Sequence, residues 1–144
     1  LNPSREEGKI VLIVRAGVAK IRKLLPEVIK AVQADAEAGP VLWMCDPMHG
    51  NTFTAPSGRK TRAFDDIVAE IGGFVRAHRA EGTWPGGIHV ELTGDDVTEC
   101  LGGGEEIGDH QLDDNYQTIC DPRLNARQSV DLAFRVAELI RDFT

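Results

Sequence analysis

Val41-Leu42-Trp43-Met44-Cys45-Asp46-Pro47-Met48-His49-Gly50-Asn51 is the stretch on which the fold turns. Five apolar residues stop at an acid, a proline, a histidine and a glycine. A short continuous apolar run reads as a strand buried on both faces, the pattern of a parallel sheet. The polar turn behind it lies where α/β barrels carry their chemistry, at the C-terminal ends of strands.

The same arrangement recurs outward. Residues 10–14, Ile-Val-Leu-Ile-Val, form another buried-strand run, closed by Arg15-Ala16-Gly17. Ile88 to Leu92 reads as a third strand, running into Thr93-Gly94-Asp95-Asp96. Tyr116 to Cys120 reads as a short fourth strand ahead of Asp121-Pro122-Arg123-Leu124-Asn125. Cys45-Asp46-Pro47 and Cys120-Asp121-Pro122 make a faint internal repeat, from equivalent barrel positions or from chance.

Helical spacing fills the gaps. Over 18–37, Val18, Ile21, Leu24, Leu25, Val28, Ile29 and Val32 form one stripe, with Pro26 expected to kink or shorten the helix. Phe64, Ile67, Val68, Ile71 and Phe74 form a second stripe, ended by Gly82 and Pro85-Gly86-Gly87. Asn125 suits the cap of a last helix, with Gln128 completing a capping box. Its expected buried face is Val130, Ala133, Phe134, Ala137 and Ile140. The loop from Asp46 to about Lys60 is long enough to be functional. The acidic, Gly-rich 93–115 segment has room for a short helical turn. Strands alternating with helices predict an α/β fold with a parallel sheet. About four β/α units amount to half of a (β/α)8 TIM barrel; an open doubly wound sheet fits the pattern as well.

The chain's 144 residues suit a single domain, 1–144, and 42% hydrophobic content suffices for a core. A net charge of −7 without a basic run argues against nucleic acid, although a local Arg pocket can still hold a phosphate. No apolar run reaches membrane-spanning length, so no membrane partner is expected. Three cysteines, Cys45, Cys100 and Cys120, contain no CxxC pair and point to a reducing, cytoplasmic setting. The start is polar, unlike a signal peptide. Because it opens on Leu1 rather than methionine, we expect a piece of something longer.

Three residues at strand ends stand out. His49, Glu91 and Asp121 offer one nitrogen and two carboxylates, a ligand set suited to Mn, Co, Fe or Zn. Each has an ordinary reading too. A histidine after a strand often only hydrogen-bonds, Asp-Pro favours a turn, and Glu91 needs only some cation or donor. Arg15 ends a strand just before a helix start, which suits a phosphate or carboxylate clamp or an ordinary ion pair. Lys60 and Arg62, at the foot of the long loop, suit a second anionic group or plain surface solvation. His89 reads as a core histidine or a support for the site, and His78 and His110 read as surface residues.

These stretches resemble the type II (plant-like) 3-deoxy-D-arabino-heptulosonate 7-phosphate (DAHP) synthases. Trp43 to Thr52, Lys60 to Asp65, Pro85 to Glu91, Thr93 to Gly103 and Cys120 to Ser129 carry the resemblance, in order, over nearly the whole chain. It implies the C-terminal half of a (β/α)8 barrel that condenses phosphoenolpyruvate with erythrose 4-phosphate, the first step of the shikimate pathway. It also implies a divalent metal, manganese first, with cobalt, iron or zinc also suited. The family's ligands are a Cys, a His, a Glu and an Asp; His49, Glu91 and Asp121 match the last three. Arg15 resembles an arginine that holds the phosphoenolpyruvate phosphate, and Lys60 and Arg62 fall in a matched motif. The ligand cysteine lies in the family's N-terminal part, outside this chain, and none of the three cysteines here replaces it. The chain is thus expected to act only with that part, or to pair with it or with a second copy through open sheet edges. Two rival readings remain: a catalytically silent half-barrel that keeps metal or phosphate binding, and a metal-dependent hydrolase using Asp95 and Asp96.

Overall fold

The computed structural model describes residues 2–141; the ends of the expected domain, residue 1 and residues 142–144, lie outside them. Strand β1 (Val11–Val14) leads into helix α1 (Ile21–Ala34), then β2 (Leu42–Cys45). A 3-10 turn at His49–Asn51 precedes an antiparallel hairpin of β3 (Thr52–Thr54) and β4 (Lys60–Arg62). Helix α2 (Phe64–Ala80), the short strand β5 (Gly87–Ile88), a 3-10 turn at Asp109–Gln111 and helix α3 (Ala126–Arg141) complete the order.

The main sheet is parallel, in the order β1-β2-β5. Val11 pairs with Leu42 and Val14 with Cys45, while Met44 and Cys45 pair with Gly87 and Ile88. Past β5 the chain stays extended. It makes a parallel bridge between Leu92 and Leu124, with the Leu124 N–H donating to Glu91 O at 3.0 Å. A fourth extended segment therefore does lie beside the third, but at Leu124 rather than at 116–120. The expected strand at 116–120 is absent: a buried carboxylate, Glu99, takes the Gln117 and Thr118 N–H groups, and the Thr118 hydroxyl takes that of Cys120. Ile119 is fully exposed there.

The core joins the sheet to the helices. Ile21, Leu25 and Ile29 of α1 meet Ile67, Ile71 and Phe74 of α2 over Trp43 and Cys45. Each such side chain, fully buried, contributes roughly 1.5–3 kcal/mol. Gly73 permits the close approach of α1 and α2, because a Cβ there would lie 2.7 Å from Ile21 Cγ2. Helix α1 begins at Ile21 and runs unbroken through Pro26.

Two expectations about burial fail. β1 is covered on one face only: Val11 and Ile13 are 41% and 52% exposed, since no described element packs there. In α3 the expected apolar face is outermost, with Val130 at 57%, Phe134 at 69% and Ile140 also exposed, as are Ala133 and Ala137. The inward face is instead Gln128 and Leu132, with Val136 and Leu139 partly buried. Gln128 sets this rotation. Its Nε2 donates to Cys100 O and Gly102 O, both at 3.0 Å, while its Oε1 accepts the Asn125 N–H. The Asn125 Oδ1 accepts the Gln128 N–H in return, so the expected capping box is present.

Candidate metal centre

His49 is aimed by its own turn. The buried Asp46 carboxylate accepts the N–H groups of Met48 and His49 at 3.1 and 3.2 Å. It also meets His49 Nδ1 at 2.8 Å, which assigns the ring proton to Nδ1 and leaves Nε2 as a lone-pair donor. Burial pushes the Asp46 carboxyl up, but the His49 ring and the backbone N–H groups outweigh it and hold the group below the usual range. Nε2 points at Glu91 Oε1, 3.6 Å away.

Glu91 stands just past β5, and its Oε2 accepts Arg62 Nη1 at 2.5 Å. Asp121 follows from the neighbouring segment. Its Oδ1 accepts Lys60 Nζ at 2.6 Å and lies 3.5 Å from Arg62 Nη2. The Lys60 hydrogen bond holds the Asp121 carboxyl below the usual range. One ligand atom from each of His49, Glu91 and Asp121 lies within 4.8 Å of the others.

The donor set suits a divalent cation. Both carboxylates already have a cationic partner on one oxygen, so their mutual repulsion is offset. Glu91 Oε1 and Asp121 Oδ2 carry no hydrogen bond among the described residues, and His49 Nε2 faces the same space. No cysteine joins the group among the described residues. Burial pushes the Cys45 thiol far up and the Cys100 thiol up to about 12, so both stay protonated; Cys120 is exposed.

The anion-binding candidates surround this centre. Arg15 extends from the end of β1, half exposed, with Nε 2.8 Å from Asp46 Oδ2. Arg62 departs from the surface alternative: it is fully buried, with Nε donating to Thr52 Oγ1 at 3.0 Å and Nη1 to Pro122 O. Its Nη2 is buried without a hydrogen-bond partner among the described residues. The β3–β4 hairpin, unforeseen from the sequence, is what carries Lys60 and Arg62 inward. A groove of about 670 Å³ opens beside Glu91, Thr118 and Asp121, a volume in the range of small-molecule sites. Asp95 and Asp96, on which the hydrolase reading rests, are exposed and outside the group; the Asp95 carboxylate accepts its local Thr93 hydroxyl at 2.9 Å.

Two buried acids that sequence reasoning passed over hold the loops. Glu99 gathers the 117–123 loop: Oε1 accepts Thr118 N at 2.8 Å and Arg123 Nη2 at 2.7 Å, and Oε2 accepts Arg123 N and Nε. Burial raises its carboxyl, but the Arg123 bonds outweigh this and keep it low. Glu70 lies inside the apolar stripe of α2, between Ile67 and Ile71, and that misplaced acid was a readable signal. Asp46 was readable too, from the Asx-turn spacing to Met48 and His49. The histidine expectations also shift. His78 is fully buried between Trp43 and Phe74, not at the surface. His89 is exposed, not in the core, with its ring 6.5 Å from that of His49. No helix among the described residues is long and apolar enough to cross a membrane.

Comparison with known proteins agrees with this chemistry. The Class-II DAHP synthetase family matches residues 1–137. A phospho-2-dehydro-3-deoxyheptonate aldolase of Streptomyces coelicolor is 58% identical over 99% of this chain, which spans 31% of that relative. One from Mycolicibacterium smegmatis is 55% identical, with 30% of its length spanned. One from Streptomyces lividans is 56% identical, and the chain spans 95% of it. This chain therefore spans about a third of the first two relatives, and by family match and identity it belongs to the class-II DAHP synthetase family.

Proposed function

We propose that this chain is the C-terminal half of a (β/α)8 barrel and the part of a DAHP synthase that carries three of its four metal ligands. The observation that supports this most is the convergence of His49, Glu91 and Asp121 within 4.8 Å, ringed by Arg15, Lys60 and Arg62. The reaction joins C3 of phosphoenolpyruvate to the aldehyde carbon of erythrose 4-phosphate. Water adds at the carbon bearing the phosphate, and inorganic phosphate leaves.

A bound divalent metal, manganese first among Mn, Co, Fe and Zn, supplies Lewis-acid polarisation of the aldehyde oxygen. His49, Glu91 and Asp121 hold it, with a cysteine from outside this chain as fourth ligand. Arg15 binds the phosphoenolpyruvate phosphate, and Asp46 keeps that guanidinium beside the His49 ring. Lys60 and Arg62 neutralise the two carboxylates, so that a cation added to them leaves the centre attractive to two phosphorylated substrates.

The uncovered faces suit association. Val11 and Ile13 on β1, and Val130 and Phe134 on α3, are apolar surfaces at the two ends of the unit, and the remainder of the family's length is their proposed cover. Homo-oligomers of the whole protein, a cytoplasmic location and a place at the first step of the shikimate pathway complete this reading.

The test uses the protein with the remainder of the family's length present. His49→Ala and Glu91→Ala are each expected to abolish condensation and to weaken manganese binding. Unchanged turnover in both variants contradicts the proposal. Manganese bound with no turnover, even in the unmutated protein, fits the silent half-barrel instead.

A further inference from the structure

Arg15 and His49 sit on different turns, after β1 and after β2, and in the function proposed above both face one substrate. Backbone meets backbone between them: a Cβ on Gly17 would lie 2.6 Å from Gly50 O, and Gly17 has φ +82°. Glu70 of α2 holds this contact from below. Its Oε1 accepts the Ala16 and Gly17 N–H groups at 3.1 and 2.9 Å. Its Oε2 accepts Asn51 Nδ2 at 2.6 Å. Asn51 Nδ2 also donates to Pro47 O at 2.8 Å, and Asn51 Oδ1 accepts the Val18 N–H at 2.9 Å. Residues 16–18 and the 47–51 turn are therefore tied to one carboxylate and one amide.

Glu70 is fully buried and makes no ion pair among the described residues; its charge is met only by N–H dipoles. Burial accordingly pushes its carboxyl above the usual range, against the opposing N–H groups of Gly17 and Ala16 and the amide of Asn51. An unpaired buried acid is costly unless its hydrogen bonds are needed. Three N–H donors converge on its two oxygens, and both oxygens must accept. A glutamine has one acceptor oxygen, and its NH2 group would confront either the backbone pair or Asn51 Nδ2.

We propose that Glu70, together with Asn51, is a positioning residue that sets the spacing between the anion-binding Arg15 and the metal-binding His49. This rests on the function proposed above.

The experiment is steady-state kinetics on the protein with the remainder of the family's length present, varying phosphoenolpyruvate. Glu70→Gln, Arg15→Ala and the double variant are compared, with thermal melting of each. Glu70→Gln is expected to raise KM for phosphoenolpyruvate about 10-fold or more while kcat stays within about threefold. The double variant is expected to be no worse than Arg15→Ala, since Glu70 acts through Arg15. Effects that multiply in the double variant, or a fall in kcat with KM unchanged, overturn the positioning role. An unchanged KM in Arg15→Ala marks failure of the anion assignment itself, visible without Glu70. If Glu70→Gln does not fold, Asn51→Ala is read by the same criteria.

Discussion

The imidazole of His78 makes a pH-dependent prediction. It is fully buried, with its ring centroid 4.4 Å from that of Phe74 and 5.2 Å from that of Trp43. Nδ1 meets Thr83 Oγ1 at 2.7 Å, and Nε2 is buried with no hydrogen-bond partner among the described residues. Burial pushes the group down from 6.5 to about 4. The unfolded chain therefore binds this proton more readily than the folded one between those values. The contribution of neutral His78 to stability is complete above about pH 6.5 and is lost as pH falls toward 4. The displacement corresponds to roughly 3 kcal/mol at the acid end. His78→Phe removes the titrating group and keeps an aromatic ring against Phe74 and Trp43. Urea unfolding followed by circular dichroism, at steps from about pH 7 to about pH 4, gives the stability difference between the two proteins. That difference should move in favour of the variant by roughly 3 kcal/mol across the range. Parallel curves would refute the burial argument, because every other titrating group is common to both proteins.

Other perturbations follow from the same geometry. Asp46→Asn keeps the size but removes the charge that orients His49, and manganese affinity by calorimetry should fall about 10- to 100-fold. Glu99→Gln weakens the hold on the partly exposed Arg123 guanidinium and on the 117–123 loop, and urea unfolding should show a loss of about 1.5–3 kcal/mol. Because the folded Glu99 carboxyl lies below its ordinary value of 4.5, its contribution is present above that pH and fades as pH falls below it. Gly17→Ala forces a side chain into positive φ and against Gly50 O, and should cost more than about 1 kcal/mol in urea unfolding.

Much of the architecture could be read from periodicity. The first two parallel strands and the stripes of α1 and α2 are set by local apolar runs, whereas the third strand, expected over 88–92, pairs with β2 only at Gly87–Ile88. The failures share one cause, side chains whose partners lie far along the chain. Gln128 turns α3 by bonding Cys100 O and Gly102 O, which no helical pattern reports. Glu99 takes the N–H groups of Gln117 and Thr118 from 18 and 19 residues away, and so displaces the fourth strand segment. Thr52–Thr54 and Lys60–Arg62 are too short and polar to read as strands, yet their pairing buries Arg62 beside Glu91. The candidate ligands His49, Glu91 and Asp121 were legible as polar residues in local turn chemistry. Of their supports, Glu70 showed only as an acid inside the apolar stripe of α2, and the segments that it and Glu99 join are too distant in sequence for any local pattern to report.

His49, Glu91 and Asp121 are proposed to hold one divalent cation between them. Crystals soaked in manganese and measured for anomalous scattering test it most directly. A single strong peak is expected at bonding distance, about 2.0–2.3 Å, from His49 Nε2 and from one carboxylate oxygen each of Glu91 and Asp121. A strong peak elsewhere, such as at Asp95 and Asp96, or none between these three residues, would contradict it.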